Sequence, residues 1–212
     1  MRRLMLYWFK IQANKSARVI LSPHFTSSEV LDIIHCYWKR YLKLIPDVPS
    51  LPTIGGTLMI HLAAMSTGFH QELRARGKSE ETTTQLFYEI AWKIYQKMGS
   101  FCWWLAGWSN RSSYVKLLRA TKLFRAFPFN SPAYRWKDVE VENNVVGFDC
   151  LKCSVAEYFQ TKGLSRFCVN TWCALDFPLA EIWDARLERT GSIAGGASKC
   201  DFRWVTKPKK NI

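Results

Sequence analysis

The chain reads as an α+β protein, with a helical N-terminal half packed on a C-terminal unit that has a four-stranded antiparallel sheet and two helices. Three observations predict this class. Up to Pro128, apolar residues recur at helical spacing. Beyond it, β-rich runs come as two pairs flanking two helical runs, an order that favours one antiparallel sheet. There are no repeats and no low-complexity segments, so residues 1–212 form a single domain: 1–128 mainly helical, 129–206 an α+β Cys-rich part, and 207–212 a basic tail.

The elements follow from local signals. Ser27-Ser28-Glu29 opens an apolar-periodic stretch, Val30 to Leu44, which Pro46 and Pro49 stop. A loop centred on Leu51-Pro52-Thr53-Ile54-Gly55-Gly56 precedes a second helix, Thr57 to Arg76, ended by Gly77. Ser79-Glu80-Glu81-Thr82 supplies a cap and an acidic first turn for a third helix reaching Trp104. Its positions Leu86, Phe87, Ile90, Ala91, Ile94, Tyr95 and Met98 share one face, which predicts a central, buried element. A fourth helix covers Ser112 to Phe124. Strands are expected at Arg135 to Val141 and Val145 to Cys150, joined by Asn143-Asn144. Helices follow at Ser154 to Lys162 and Leu164 to Trp183. The closing strands are Arg186 to Ile193 and Lys199 to Val205, turned at Gly195-Gly196.

Composition narrows the function. The net charge is +13, but the basic residues are spread along the chain except for Lys207-Pro208-Lys209-Lys210, and no RNA-binding or zinc-finger spacing occurs. Nucleic acid is therefore not an expected partner. The run Leu4 to Phe9 is too short for a secretory signal, and seven Cys is an odd number, so a cytoplasmic protein with reduced thiols is expected. No stretch has transmembrane character. Tyr88 to Trp108 comes nearest but carries Glu89, Lys93 and Lys97, which suits core packing and allows a weak contact with a membrane surface.

Chemistry concentrates in the Cys-rich part. Cys150, Cys153, Cys168 and Cys173 lie close in sequence, and Cys200 sits on the last strand. Cys150-x-x-Cys153 has the spacing of a zinc half-site, but a second such pair is missing and all four His precede residue 71, so neither a metal nor a cofactor is expected. Cys36, Cys102 and Cys168 read as small buried apolar residues. Cys153 opens a helix, where a thiolate is favoured. Cys173 and Asp176 share a helical face. On a regular strand, Cys200 and Phe202 face one side while Asp201 and Arg203 face the other.

Three stretches carry a family resemblance: Leu51-Pro52-Thr53-Ile54-Gly55-Gly56, the run Phe148 to Phe159 with Cys153 before its helix, and Cys173-Ala174-Leu175-Asp176 followed by Leu187 to Gly196 and Cys200-Asp201-Phe202-Arg203. Over about residues 45–205 the chain resembles the L-2-amino-thiazoline-4-carboxylic acid hydrolase family. The resemblance implies that Cys153, Cys173, Asp176, Cys200 and Arg203 converge on one site for a small-molecule substrate, with Trp172 and Phe202 beside them. The implied reaction opens a cyclic isothiourea with water. Cys153 or Cys173 would be the nucleophile, Asp176 the acid/base or the partner of a cationic amidine, and Arg203 the clamp for a carboxylate. Two other readings stand beside it. One is a related enzyme of secondary metabolism acting on an aromatic or indole-like substrate, which suits the ten Trp. The other is a non-catalytic small-molecule-binding module of the vinyl-reductase type.

Overall fold

The computed structural model describes residues 2–108, 112–142 and 144–207. Its order is α1 (Arg2–Leu21), α2 (Ser27–Leu44), α3 (Ile54–Ala75), α4 (Glu80–Ala106), α5 (Ser113–Ala126), β1 (Tyr134–Asp138), β2 (Val145–Cys153), α6 (Ser154–Thr161), α7 (Ser165–Cys168), α8 (Asp176–Ile182), β3 (Ala185–Glu188) and β4 (Cys200–Thr206). The strands form one antiparallel sheet in the order β1-β2-β4-β3. The α+β class and the helical N-terminal half are thus as the sequence predicts. Among the described residues no helix is long and apolar enough to cross a membrane.

Side-chain caps set most helix starts. Thr26 and Glu29 form a reciprocal capping box at α2, with the Thr26 N–H donating to Glu29 Oε2 at 2.7 Å. Ser79 caps α4 and Ser112 caps α5. Thr53 caps α3, so the helix begins inside the expected loop and takes Gly55 and Gly56 into its first turn. Both glycines are needed there because a Cβ would stand 2.5 Å from the Pro128 carbonyl oxygen at Gly55, and 2.7 Å from the Ala133 methyl at Gly56. Their close approach seats α3 against the chain that leads into β1.

The sheet buries one face. Val146, Phe148 and Cys150 of β2 oppose Trp204, Phe202 and Cys200 of β4 in register, and the Phe148 and Phe202 rings stack at 5.3 Å. Trp183, which is almost fully buried, packs on Trp204 and Phe124, and its indole N–H donates to the Gly99 carbonyl at 3.0 Å. Helix α1 is an element that the sequence reading did not place. It runs antiparallel to α4: Ala17 and Leu21 share a core cluster with Leu86 and Ile90, the Lys97 ammonium reaches Gln12 Oε1 at 3.2 Å, and Leu6 packs on the larger core that holds Cys102 and Ala106. In α4, Leu86 and Ile90 are buried, and Phe87, Ile90, Ala91, Ile94, Tyr95 and Met98 border a cavity.

Four expected elements change shape. The run Leu164 to Trp183 is not one helix: after α7 it passes through a π turn, Val169–Cys173, and restarts as α8. Pro178 accounts for the restart, since it has no N–H and its ring crowds the carbonyl four residues earlier. Strand β1 ends at Asp138 rather than Val141, and Asn143 of the expected turn lies outside the described residues. Strand β2 runs on to Cys153, which ends the strand and caps α6 in one residue. Strand β3 stops at Glu188, not Ile193. Of the basic tail, residues 208–212 lie outside the described residues.

The loop from 189 to 199 replaces the tight turn, and Asp201 holds it. The Asp201 carboxylate accepts from the Thr190 N–H, the Gly191 N–H and the Thr190 hydroxyl at 2.6–3.1 Å. Gly196, with φ of 94°, gives the loop its left-handed residue. Partial burial pushes the Asp201 pKa up, but these hydrogen bonds outweigh it and hold it at about 2. A depressed carboxyl stabilises the fold above its unfolded pKa of about 3.9 and loses that contribution as pH falls toward 2. Asp201→Asn is therefore expected to lower Tm at pH 7 by about 2–4 °C per kcal/mol lost, and to narrow the gap from the parent protein below pH 4. Thermal melts across that range check both.

Candidate active site

A cavity of about 220 Å³ lies between helices α1, α3, α4 and α5, the inner sheet face and the segment from Cys168 to Arg189. Its walls are mostly apolar and rich in aromatic rings. The chemistry sits together on its border: Cys150, Cys153, Cys168, Cys173, Cys200, Asp176, Arg189 and Tyr95. Trp172 and Phe202 line it too, and the Trp172 indole N–H donates to Ser66 Oγ at 3.2 Å.

Arg189 organises this border. Its Nη1 donates to Asp176 Oδ2 at 2.8 Å and its Nη2 to the Cys173 carbonyl at 2.9 Å. The guanidinium lies 5.0 Å from the Phe177 ring centre and 5.3 Å from that of Phe202. Tyr95, from α4, donates its hydroxyl to Asp176 Oδ1 at 3.3 Å. The pair is largely withdrawn from solvent, Arg189 exposing 7% and Asp176 19% of its side chain. Burial pushes the Asp176 pKa up, Arg189 and Tyr95 act against it, and it stays raised. Burial and the neighbouring Asp176 charge push the Tyr95 phenol well up.

The thiols differ by surroundings. Cys200 accepts from the Ile193 N–H at 3.3 Å. Its neighbour Cys150, whose thiol donates to the Lys152 carbonyl at 3.0 Å, is the main influence lowering its pKa; burial opposes it, while the Ile193 N–H and the Arg189 charge add to the lowering. Cys150 is pushed up chiefly by its pairing with Cys200, then by burial. Cys153 accepts from the Ala156 N–H at 3.4 Å as the cap of α6, yet burial dominates and raises it. Cys168 is raised by its hydrogen bond with Cys173 and by burial. Away from the cavity border, burial pushes buried Cys102 up to about 12, and half-buried Cys36 points its thiol at Asp32. All seven cysteines are free. Among the described residues no group of three or more His, Cys, Asp or Glu is arranged to hold a metal ion.

Of the residues singled out from sequence, Cys153, Cys173, Asp176, Cys200, Trp172 and Phe202 border the cavity. Arg203 does not join them. It points to the other face of the sheet, where its Nη1 donates to Asp149 Oδ1 at 3.0 Å and to the carbonyls of Phe148 and Phe202. Asp149 also takes Lys199 at 2.6 Å. The guanidinium at the cavity belongs to Arg189, and strand parity explains it: Ala185 and Leu187 face inward, so Arg189 continues on their side. A charged residue in phase with an apolar stripe is the signal that could have found it. Tyr95 carries no such mark, because it reads as one more apolar position of α4.

A sequence model of L-2-amino-thiazoline-4-carboxylic acid hydrolase matches residues 59–204. That span is more than half of the chain and includes the whole polar border of the cavity, while Leu51 to Gly56 lie outside it. No curated protein and no solved structure matches the chain significantly. By the extent of that match, the chain belongs to the L-2-amino-thiazoline-4-carboxylic acid hydrolase family.

Proposed function

We propose that the protein is a hydrolase that opens a small cyclic metabolite at the carbon between two ring heteroatoms, as in 2-aminothiazoline-4-carboxylate, with Cys200 as nucleophile. The observation that carries this reading is that one cavity of about 220 Å³ is bordered by the Cys200 thiol, a buried carboxyl and a guanidinium. A void of about 150 Å³ holds benzene, and drug-sized pockets start near 300 Å³, so this space suits one small ring.

In the proposed reaction the Cys200 thiolate adds to the electrophilic carbon of the protonated ring. The ring carbon–sulfur bond then breaks, and Asp176 carries a proton from the amidine nitrogen to the departing sulfur. Water attacks the resulting thio-linked carbon, Asp176 takes its proton, and the Cys200 thiolate leaves. The net change is addition of one water to give a carbamoyl thiol. Arg189, in the place expected of Arg203, holds Asp176 in position and favours the thiolate and a substrate anion. Cys153 and Cys173 shape the wall beside them.

The lining supports a second reading of the substrate alone. The indole and phenyl rings of Trp136, Trp172, Phe148 and Phe202 offer more flat apolar surface than a thiazoline acid uses, which fits an aromatic or indole-like ring. A binding module of the vinyl-reductase type would bind such rings without turnover.

Cys200→Ser is expected to cut kcat about a hundredfold or more, with a covalent adduct seen by intact mass on the parent protein and absent from the variant. Cys36→Ser should leave kcat unchanged. Full turnover by Cys200→Ser, or binding of every ring tested with no product, would overturn the hydrolytic reading.

Asp176 must be ionised to take the proton from water, so activity is present above its raised pKa and falls as pH drops through it. The acid limb of kcat should lie above the ordinary Asp value of about 3.9. Asp176→Asn should remove that limb and lower kcat about 10²–10⁴-fold. A pH–rate profile with an unmoved limb in the variant would assign the limb to another group.

A further inference from the structure

We propose that the outer face of α1 and the C-terminal half of α4 docks the protein on an anionic lipid membrane. Leu4, Tyr7, Trp8 and Ile11 are all exposed, and their spacing places them on one side of α1. Phe101, Trp104, Leu105 and Trp108 repeat the same spacing at the end of α4 and are also exposed, the eight ranging from Leu105 at 41% to Trp108 at 76%. Because the two helices run antiparallel with Gln12 beside Lys97, the N-terminal stripe of α1 lies along the C-terminal stripe of α4. The Phe101, Trp104 and Trp108 rings touch in series, with centres 5.8 and 5.7 Å apart. The result is two neighbouring exposed stripes of apolar and aromatic side chains, of a kind that soluble monomers seldom leave open.

The inward faces of these helices are already used. Phe9, Ala13 and Ala17 of α1, with Ile94 and Met98 of α4, border the cavity. The outward stripes are therefore a second apolar face, not a packing surface left over from the core.

Charge selects the occupant. Residues 1–28 and 90–137 contain no Asp or Glu, so all 17 acidic residues lie elsewhere. Lys10, Lys15, Arg18, Lys97 and Lys122 are exposed on α1, α4 and α5. Two copies of this face would bring like charges together, which disfavours a dimer across it. Trp, Tyr and Leu flanked by Lys and Arg is the make-up of helices that lie at a lipid interface, and anionic headgroups complement the charge. The proposal is independent of the chemistry assigned to the cavity.

The test is co-sedimentation of the full chain with vesicles of phosphatidylcholine alone, or with about 30% phosphatidylglycerol. Binding to the anionic vesicles should be at least about tenfold tighter and should weaken in about 0.5 M salt. Trp104→Ser with Trp108→Ser, and separately Trp8→Ser, should reduce it about tenfold or more with Tm unchanged, because these side chains are exposed. No binding to anionic vesicles, or binding that the Trp variants retain, would overturn the proposal. So would a dimer in solution that these variants dissociate, since the occupant would then be a second copy.

Discussion

A buried guanidinium needs a fixed partner, and the pairing of Arg189 with Asp176 is the constraint around which the C-terminal unit is arranged. Breaking such a pair by removing one member leaves an uncompensated charge at a cost of about 3–5 kcal/mol. Arg189 leaves the end of β3, Asp176 begins α8, and Tyr95 reaches Asp176 from α4. The second arm of the guanidinium takes the Cys173 carbonyl. One ion pair thus ties the sheet, the Cys-bearing turn and the longest helix around a common space, and brings a positive charge to the Cys200 thiol.

Strand β4 divides its labour by parity. Cys200, Phe202 and Trp204 face the core, while Asp201 and Arg203 face outward. Asp201 fastens the loop that lets Arg189 turn inward, and Arg203 clasps Asp149 across the sheet. The three polar or reactive residues among the first four of this strand, Cys200, Asp201 and Arg203, therefore serve three separate ends. The cysteines show the same dependence on place: a residue type repeated around one cavity has its pKa raised at Cys150, Cys153 and Cys168, and lowered at Cys200.

Much of this was legible in the sequence. Caps and apolar periodicity marked α2 to α6, and the two pairs of β-rich runs marked the sheet. Helix α1 was missed because it has no acidic first turn, and its apolar residues lie on two opposite faces instead of one stripe. The long helical run after Leu164 hid its break, since Pro178 near a helix start reads as tolerable while its effect falls four residues earlier. Six of the seven expected site residues border the cavity. Arg203 was carried there by its neighbours in sequence, although its alternation with Cys200 already placed it on the opposite face. Arg189 was open to the same alternation, being in phase with Ala185 and Leu187.

The π turn at Val169–Cys173 has a consequence for comparing relatives. Such a turn holds one residue more than an α-helical path, and tends to occur at functional positions. Each residue of an α-helix turns the chain by about 100°. A relative lacking one residue in this segment would regain a continuous helix and swing its counterpart of Cys173 away from the space that Arg189 and Asp176 enclose. In an alignment, a one-residue gap here would separate chains that keep this wall from chains that do not, even where every cysteine is retained. Segment length is thus a character of the site in its own right.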